Sequence, residues 1–183
     1  MSPLLRFEGV TLRRGGRMLF KGVNLELRAG GALQVTGPNG SGKSSLIRLA
    51  AGLLRQERGR VERTTLALAD DHLALDRELP LRRALTFWSK PIDEAMDALG
   101  LAHLIEVPVR LLSSGQAKRA TLARVAASGA PLWLLDEPLN GLDADGGDRL
   151  ASVIQRHLSS GGAVVAASHQ PLSGKWQRLE LGR

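Results

Sequence analysis

The stretch GPNGSGKSS, Gly37 to Ser45, decides how the rest of the chain is read. It fits G-x-x-x-x-G-K-[ST] at Gly37, Gly42, Lys43 and Ser44, and at ordinary glycine usage a chance match in one chain is about one in a hundred. The apolar run ALQVTG leads into it. SGKSSLIRLAAGLL leads out, with apolar residues at Leu46, Ile47, Leu49, Ala50, Leu53 and Leu54 in helical spacing. Strand, glycine-rich loop and helix is the order that phosphate binding asks of a backbone. The loop through Pro38, Asn39, Gly40 and Ser41 lets backbone N–H groups wrap phosphate oxygens, and the helix start through Ser45 adds a positive dipole end. Lys43 is set to neutralise β- and γ-phosphates, and the Ser44 hydroxyl to ligate Mg²⁺. The sequence predicts a nucleotide-binding protein.

Composition narrows the surroundings of that loop. The chain has 183 residues, which suits one domain, and a 43% apolar fraction sufficient for a proper core. Cysteine is absent, which excludes disulfides and thiolate metal sites and agrees with a reducing cytoplasm. MSPLLRFEGV carries no signal-peptide pattern, and no run of about 18 apolar residues is present to span a bilayer. The net charge of +7 is scattered, with Arg13, Arg14 and Arg17 the one tight cluster and Arg82–Arg83 a pair. Tyrosine is absent and aromatic interleaving is lacking, so a nucleic-acid groove is not expected.

The remaining segments alternate. LLRFEGVTL and VNLELR read as strands joined by RRGGR and a short MLF, and two more short strands fall between Gly59 and Ala69. From Asp76 onward the character is helical: Pro80 opens LRRALTFW, Pro91 opens IDEAMDALG, and a third helix follows Gln116. PLWLLDEP is a compact strand, DADGGDRLASVIQRHLSS a helix, GAVVAAS a buried strand and WQRLEL a last strand. Strands alternating with helices predict an α/β fold with a mostly parallel core sheet. The N-terminal strands form an antiparallel side layer, and a helical insertion spans roughly 76–128 of the single domain 1–183.

Acids complete the chemistry. Asp136 ends a largely apolar strand and is placed toward the metal. Glu137, on the opposite side of the pleat if the strand continues, is placed toward an attacking water. His169, just past the next buried strand, is set to hydrogen-bond a γ-phosphate. A separate stretch, RLLSSGQAKRA, has Ser113 as N-cap with Gln116 three residues later, a capping box.

Together GPNGSGKSS, LLSSGQAKRA, LWLLDEP, NGLD and SHQ, in this order, resemble the ATP-binding-cassette (ABC) ATPases over nearly the whole chain. The resemblance implies a P-loop NTPase of the ABC type, with ATP and Mg²⁺ as its cofactors and Glu137 and His169 as catalytic residues. It also implies a homodimer sandwiching two ATP molecules, in which Ser113, Gly115 and Gln116 of one subunit complete the phosphate site of the other, with Asp143 linking the two sites. Ser114 stands where the family usually has glycine. The family's glutamine after the next strand is missing, and His72 is the nearest positional match as a metal-site residue. The adenine-stacking aromatic is missing between Thr11 and Arg17, where an arginine face is the available substitute.

In detail the chain looks most like the ATP-binding subunits of bacterial cytochrome c maturation transporters. That implies an ATPase peripheral to the inner, cytoplasmic face of the cell membrane, working with integral-membrane subunits. Its ATP use would serve haem export, or release of a haem-loaded chaperone in c-type cytochrome assembly, without touching haem itself. Two alternatives stand beside it: the ATPase of another ABC transporter, and a soluble cassette protein acting on ribosomes or nucleic acid.

Overall fold

The computed structural model of the chain describes residues 2–87 and 92–182. Two sheets organise it. An antiparallel sheet is ordered β2-β1-β4, from β1 (Leu5–Arg14), β2 (Arg17–Leu27) and β4 (Arg58–Arg63). A parallel sheet is ordered β5-β6-β7-β3-β8, from β3 (Ala32–Thr36), β5 (Leu66–Ala69), β6 (Leu132–Asp136), β7 (Ala163–Ala167) and β8 (Gln177–Glu180). The helices are α1 (Lys43–Ala50), α2 (Leu81–Thr86), α3 (Asp93–Ala98), α4 (Ser114–Ala127) and α5 (Ala144–Ser159).

The hairpin corrects one sequence expectation. MLF and VNLELR belong to one eleven-residue strand, because bulges absorb the irregular pattern instead of ending the strand. At one bulge the Gly9 N–H donates to Asn24 Oδ1 at 2.8 Å, and at another the Gly22 N–H donates to Thr11 Oγ1 at 3.1 Å. The strands turn through Gly15 and Gly16, both at positive φ, as a tight hairpin requires. The helix after the phosphate loop is also shorter than its apolar spacing. It stops at Ala50, where Gly52 takes φ 80° and the Leu53 N–H bonds back to Arg48 O. Trp88 and Pro91, which the sequence assigns to the helical insertion of roughly 76–128, lie outside the described residues.

The core sits on both faces of the parallel sheet, and strand alternation divides it. Leu132 and Leu134 of β6, with Ala163, Val165 and Ala167 of β7, pack toward α1 and the antiparallel sheet. Trp133 and Leu135, with Val164 and Ala166, pack toward α2–α5. A strand buried on both sides reads as a continuous apolar run, which is why LWLL and AVVAA carry no period. Register then sets the site: Val35 pairs with Ala167, and Ala167 with Asp136. The carboxyl ends of β3, β7 and β6 therefore lie side by side. Among the described residues no helix is long and apolar enough to cross a membrane.

His157 of α5 stacks on Trp133, ring centroids 3.7 Å apart and planes within 9°. Burial pulls its pKa below the ordinary 6.5, against hydrogen bonds to the backbone of Ala163 and Pro131 that act the other way. A histidine held neutral by the fold must gain a proton on unfolding in acid. Its stabilising effect is therefore complete above pH 6.5 and is lost as pH falls through the lowered folded value. Thermal unfolding followed by circular dichroism at pH 7.5 and 5.5 tests this: the wild type loses more Tm across the interval than His157→Phe. Equal losses would refute the assignment.

Candidate nucleotide and metal site

A cavity of about 440 Å³ opens where β3 gives way to α1, lined among others by Arg14, Leu19, Asn39, Lys43, Ser44 and Glu137. Its floor is the glycine loop. Gly37 has φ 140°, and a Cβ there would lie 2.4 Å from Leu181 O; Gly42, the residue before α1, has φ 106°. Any side chain at Gly37 would push the loop off β8. Lys43 is 7% exposed, and its ammonium donates to Gly37 O at 2.9 Å and Pro38 O at 3.3 Å. The lysine thus points back over the loop, as a phosphate cradle requires. The Ser41 hydroxyl is buried inside the loop with no hydrogen-bond partner among the described residues.

Across the cavity the Ser44 hydroxyl donates to Asp136 Oδ1 at 3.0 Å. Asp136 is 3% exposed, and desolvation raises its pKa, opposed by the Ser44 hydrogen bond and reinforced by the charges of Asp71 and Glu137. One hydroxyl and one buried carboxylate are hard oxygen donors, the set that Mg²⁺ takes when substrate phosphates supply the rest. No cluster of three or more His, Cys, Asp or Glu that could hold a metal occurs among the described residues. Ser44 and Asp136 fit the ion.

Glu137 corrects a second expectation. The strand ends at Asp136, so its side chain is not aimed by the pleat. Instead Glu137 takes φ 45°, the only positive φ at a non-glycine residue among the described residues. Its N–H donates to Ala167 O at 2.8 Å, and its Oε2 accepts from His169 Nδ1 at 2.8 Å. His169 is half exposed and Glu137 largely covered. The ring holds the carboxylate through Nδ1, and its half-exposed side chain leaves the other nitrogen without a hydrogen bond among the described residues.

The structure brings Lys43, Ser44, Asp136, Glu137 and His169 to one edge. It does not bring His72 there: the ring turns to Asp70 at 3.3 Å, and the side chain is 80% exposed. The acid of that loop that Asp136 feels is Asp71, one residue earlier. Ser113, Gly115, Gln116 and Asp143 do not line the cavity. Ser113 caps α4, accepting from the Gln116 N–H at 3.3 Å, while Gln116 Oε1 accepts from the Ser113 N–H at 2.9 Å. Asp143 caps α5 by accepting from the Gly146 N–H. The two segments meet within the chain, since a Cβ on Gly115 would lie 2.8 Å from Gly141 O. Lys118 is the residue that sequence reading passed over: its ammonium donates to Asp136 O at 3.2 Å. A basic residue five positions past a helix cap carries no signal of its own.

Comparison with known proteins shows the family and the fold. The ABC transporter family pattern matches residues 20–140. The cytochrome c biogenesis ATP-binding export protein CcmA of Sphingopyxis alaskensis is 53% identical over 181 residues, 94% of this chain and 93% of that protein. The protein of the same name from Novosphingobium aromaticivorans is 56% identical over 168 residues, 90% of this chain and 87% of that one. Among solved structures, a putative ABC transporter ATP-binding protein from Pyrococcus furiosus superposes with TM-score 0.84 at 20% identity, covering 97% of this chain and 96% of that one. An inward-facing putative metal-chelate type ABC transporter gives TM-score 0.77 at 28% identity, with 99% and 80% covered.

The buried Asp136 sets a trade between stability and chemistry. A carboxyl whose pKa is raised favours the protonated form when folded, so above the ordinary 3.8 its charge weakens the fold. Asp136→Asn is expected to raise the Tm of the nucleotide-free chain at pH 7.5 and to abolish the further rise that Mg²⁺ adds to ATP. A lower Tm for the variant would contradict this account of the carboxylate.

Proposed function

Because the chain belongs to the ABC transporter family, we propose that it is the ATP-hydrolysing subunit of an ABC complex in c-type cytochrome biogenesis, energising haem export or the release of a haem-loaded chaperone. Close identity over most of the chain to proteins named for cytochrome c biogenesis and export supports the role. The observation that carries the chemistry is the Glu137–His169 pair, 2.8 Å apart beside the Lys43 loop.

In this reading the triphosphate of ATP lies along the glycine loop with Lys43 against its terminal phosphates. Arg14 and Leu19 offer the base a flat guanidinium and an apolar contact in place of an aromatic ring. Ser44 and Asp136 would hold Mg²⁺, which would supply positive charge against the terminal phosphates. Glu137 accepts a proton from the attacking water as its oxygen bonds to the γ-phosphorus and the bond to the ADP oxygen breaks. His169 holds the Glu137 carboxylate through Nδ1 and, as the imidazolium with both ring nitrogens protonated, donates from Nε2 toward the γ-phosphate.

A second copy closes the site with its own Ser113, Gly115 and Gln116, where a hydroxyl and a helix N-terminus meet the γ-phosphate. Asp143 sits beside that contact. The membrane-embedded subunits of the complex dock on the helical subdomain of roughly 76–128, where Phe87 is 83% exposed next to the apolar Leu73, Leu75 and Leu79. The chain sits on the cytoplasmic face through those subunits and makes no contact with haem.

The decisive experiment is in the source organism. Lys43→Ala, present at normal levels, is expected to remove proteins carrying covalently bound haem; an unchanged haem signal would leave an ABC ATPase serving another transporter. In vitro, Glu137→Gln with saturating Mg-ATP should double the mass seen by light scattering, and a persistent monomer would refute the sandwich.

A further inference from the structure

The peptide unit between Asp136 and Glu137 is gripped at both ends. Its N–H donates to Ala167 O at 2.8 Å, and its carbonyl accepts from the Lys118 ammonium at 3.2 Å. Glu137 at φ 45° occupies a backbone region that L side chains rarely adopt, and such a conformation persists where its surroundings over-determine it. Both grips act on the plane about which that φ is defined. The direction of the Glu137 side chain therefore depends on them.

The simpler account makes Lys118 a counter-charge for an acidic rim. Desolvation lowers its pKa, while Asp71, Asp136, Asp70 and Glu137 act to raise it, so the charges are there. Yet the atom the ammonium contacts is a peptide oxygen, and it makes no ion pair with a carboxylate among the described residues. A solvated counter-charge has no reason to select that carbonyl. Lys118 also stands on α4, four residues after the first helical residue Ser114, so the grip joins the capped helix start to the end of β6.

We propose that Lys118 is a positioning residue for hydrolysis: from α4 it fixes the Asp136–Glu137 peptide and, through it, the aim of the Glu137 carboxylate. The proposal rests on the reading of Glu137 as the proton acceptor. It makes the alignment of that acceptor follow the position of α4 relative to the parallel sheet. A shift of the helix that draws Lys118 from the carbonyl removes one of two anchors from a backbone conformation that needs both.

Lys118→Met keeps the stem and removes the donor; Lys118→Arg keeps a donor. ATP hydrolysis is measured with the purified full chain and with membranes holding the assembled complex. Lys118→Met is expected to lower kcat about 10- to 100-fold with KM changed less than about threefold, since a misaimed group of about 1 Å costs on that order. Lys118→Arg is expected to recover most of kcat. In a Glu137→Gln background the methionine change should add less than about twofold, because both act through one group. An unchanged kcat, a rise confined to KM, or a full additional loss in the Glu137→Gln background overturns the proposal. Amide exchange at Glu137 in the nucleotide-free chain decides without turnover: about tenfold faster exchange in Lys118→Met, restored by Lys118→Arg, supports the grip, and unchanged protection defeats it. Full activity of Glu137→Gln would instead remove the proton-acceptor reading and leave the exchange result to judge the grip by itself.

Discussion

The Ser44 hydroxyl meets the Asp136 carboxylate at 3.0 Å although 92 residues of chain separate them. One hydrogen bond to a charged group contributes about 1.5–3 kcal/mol, too little to assemble such a distant pairing. Burying a single Val or Leu side chain contributes about as much. In β6 and β7 all five residues of each strand are buried, so apolar contact aligns the strands and the hydrogen bond follows. Parallel pairing with register Val35–Ala167–Asp136 then delivers the ends of three strands to one edge. The loop after β3, the acids after β6 and the histidine after β7 are adjacent because the sheet is parallel.

The same edge concentrates unlike charge without neutralising it internally. Lys43 is turned onto the carbonyls of its own loop, so it does not serve as counter-ion to Asp136. The acids Asp70, Asp71, Asp136 and Glu137 act together on Lys118 across the end of the sheet. One half of the site suits an anion and the other a cation. A phosphate chain with a divalent ion matches both halves at once, and neither half alone does. Electrostatic cost held in the protein is recovered on binding, which is how a site favours its ligand over its own collapse.

What was legible in the sequence was local. The phosphate loop is a contiguous run of eight residues whose glycines are demanded by backbone conformation, and the Ser113–Gln116 box is closed within one helical turn. LWLL and AVVAA could be assigned as buried strands because charge is absent from them. What failed was whatever depended on distant packing. MLF reads as part of the connection but belongs to β2, because bulge amides find partners at Thr11 and Asn24 on the neighbouring strand, which a linear pattern does not show. The aim of Glu137 was missed because a positive φ at a glutamate is imposed by Ala167 and Lys118, 30 residues later and 19 earlier in the chain. His72 is the nearest positional match for the missing glutamine, but its ring turns to Asp70 within the same loop, a local pairing that position in a pattern does not show.

The capped start of α4 is built from neutral atoms, which suits the phosphate contact proposed for it in a closed dimer. Ser113 Oγ accepts from the Gln116 N–H at 3.3 Å, at the long end for such a bond, and no acidic residue occupies the first turn of the helix. An N-terminus with a carboxylate at N2 or N3 would already have satisfied its dipole and would repel a phosphate. Here the box supplies neutral partners to two orphan donors, enough to stop fraying, at about 1 kcal/mol. A hydrogen bond to an ionised phosphate oxygen is roughly twice as strong as a neutral one. Exchange of the serine hydroxyl for a phosphate at these donors is therefore downhill in hydrogen bonding, and the unfilled positive end of the dipole favours it further. A capping aspartate at 113 would hold the helix as well or better and would forfeit that exchange. Serine is the residue that caps the helix without closing it to an anion.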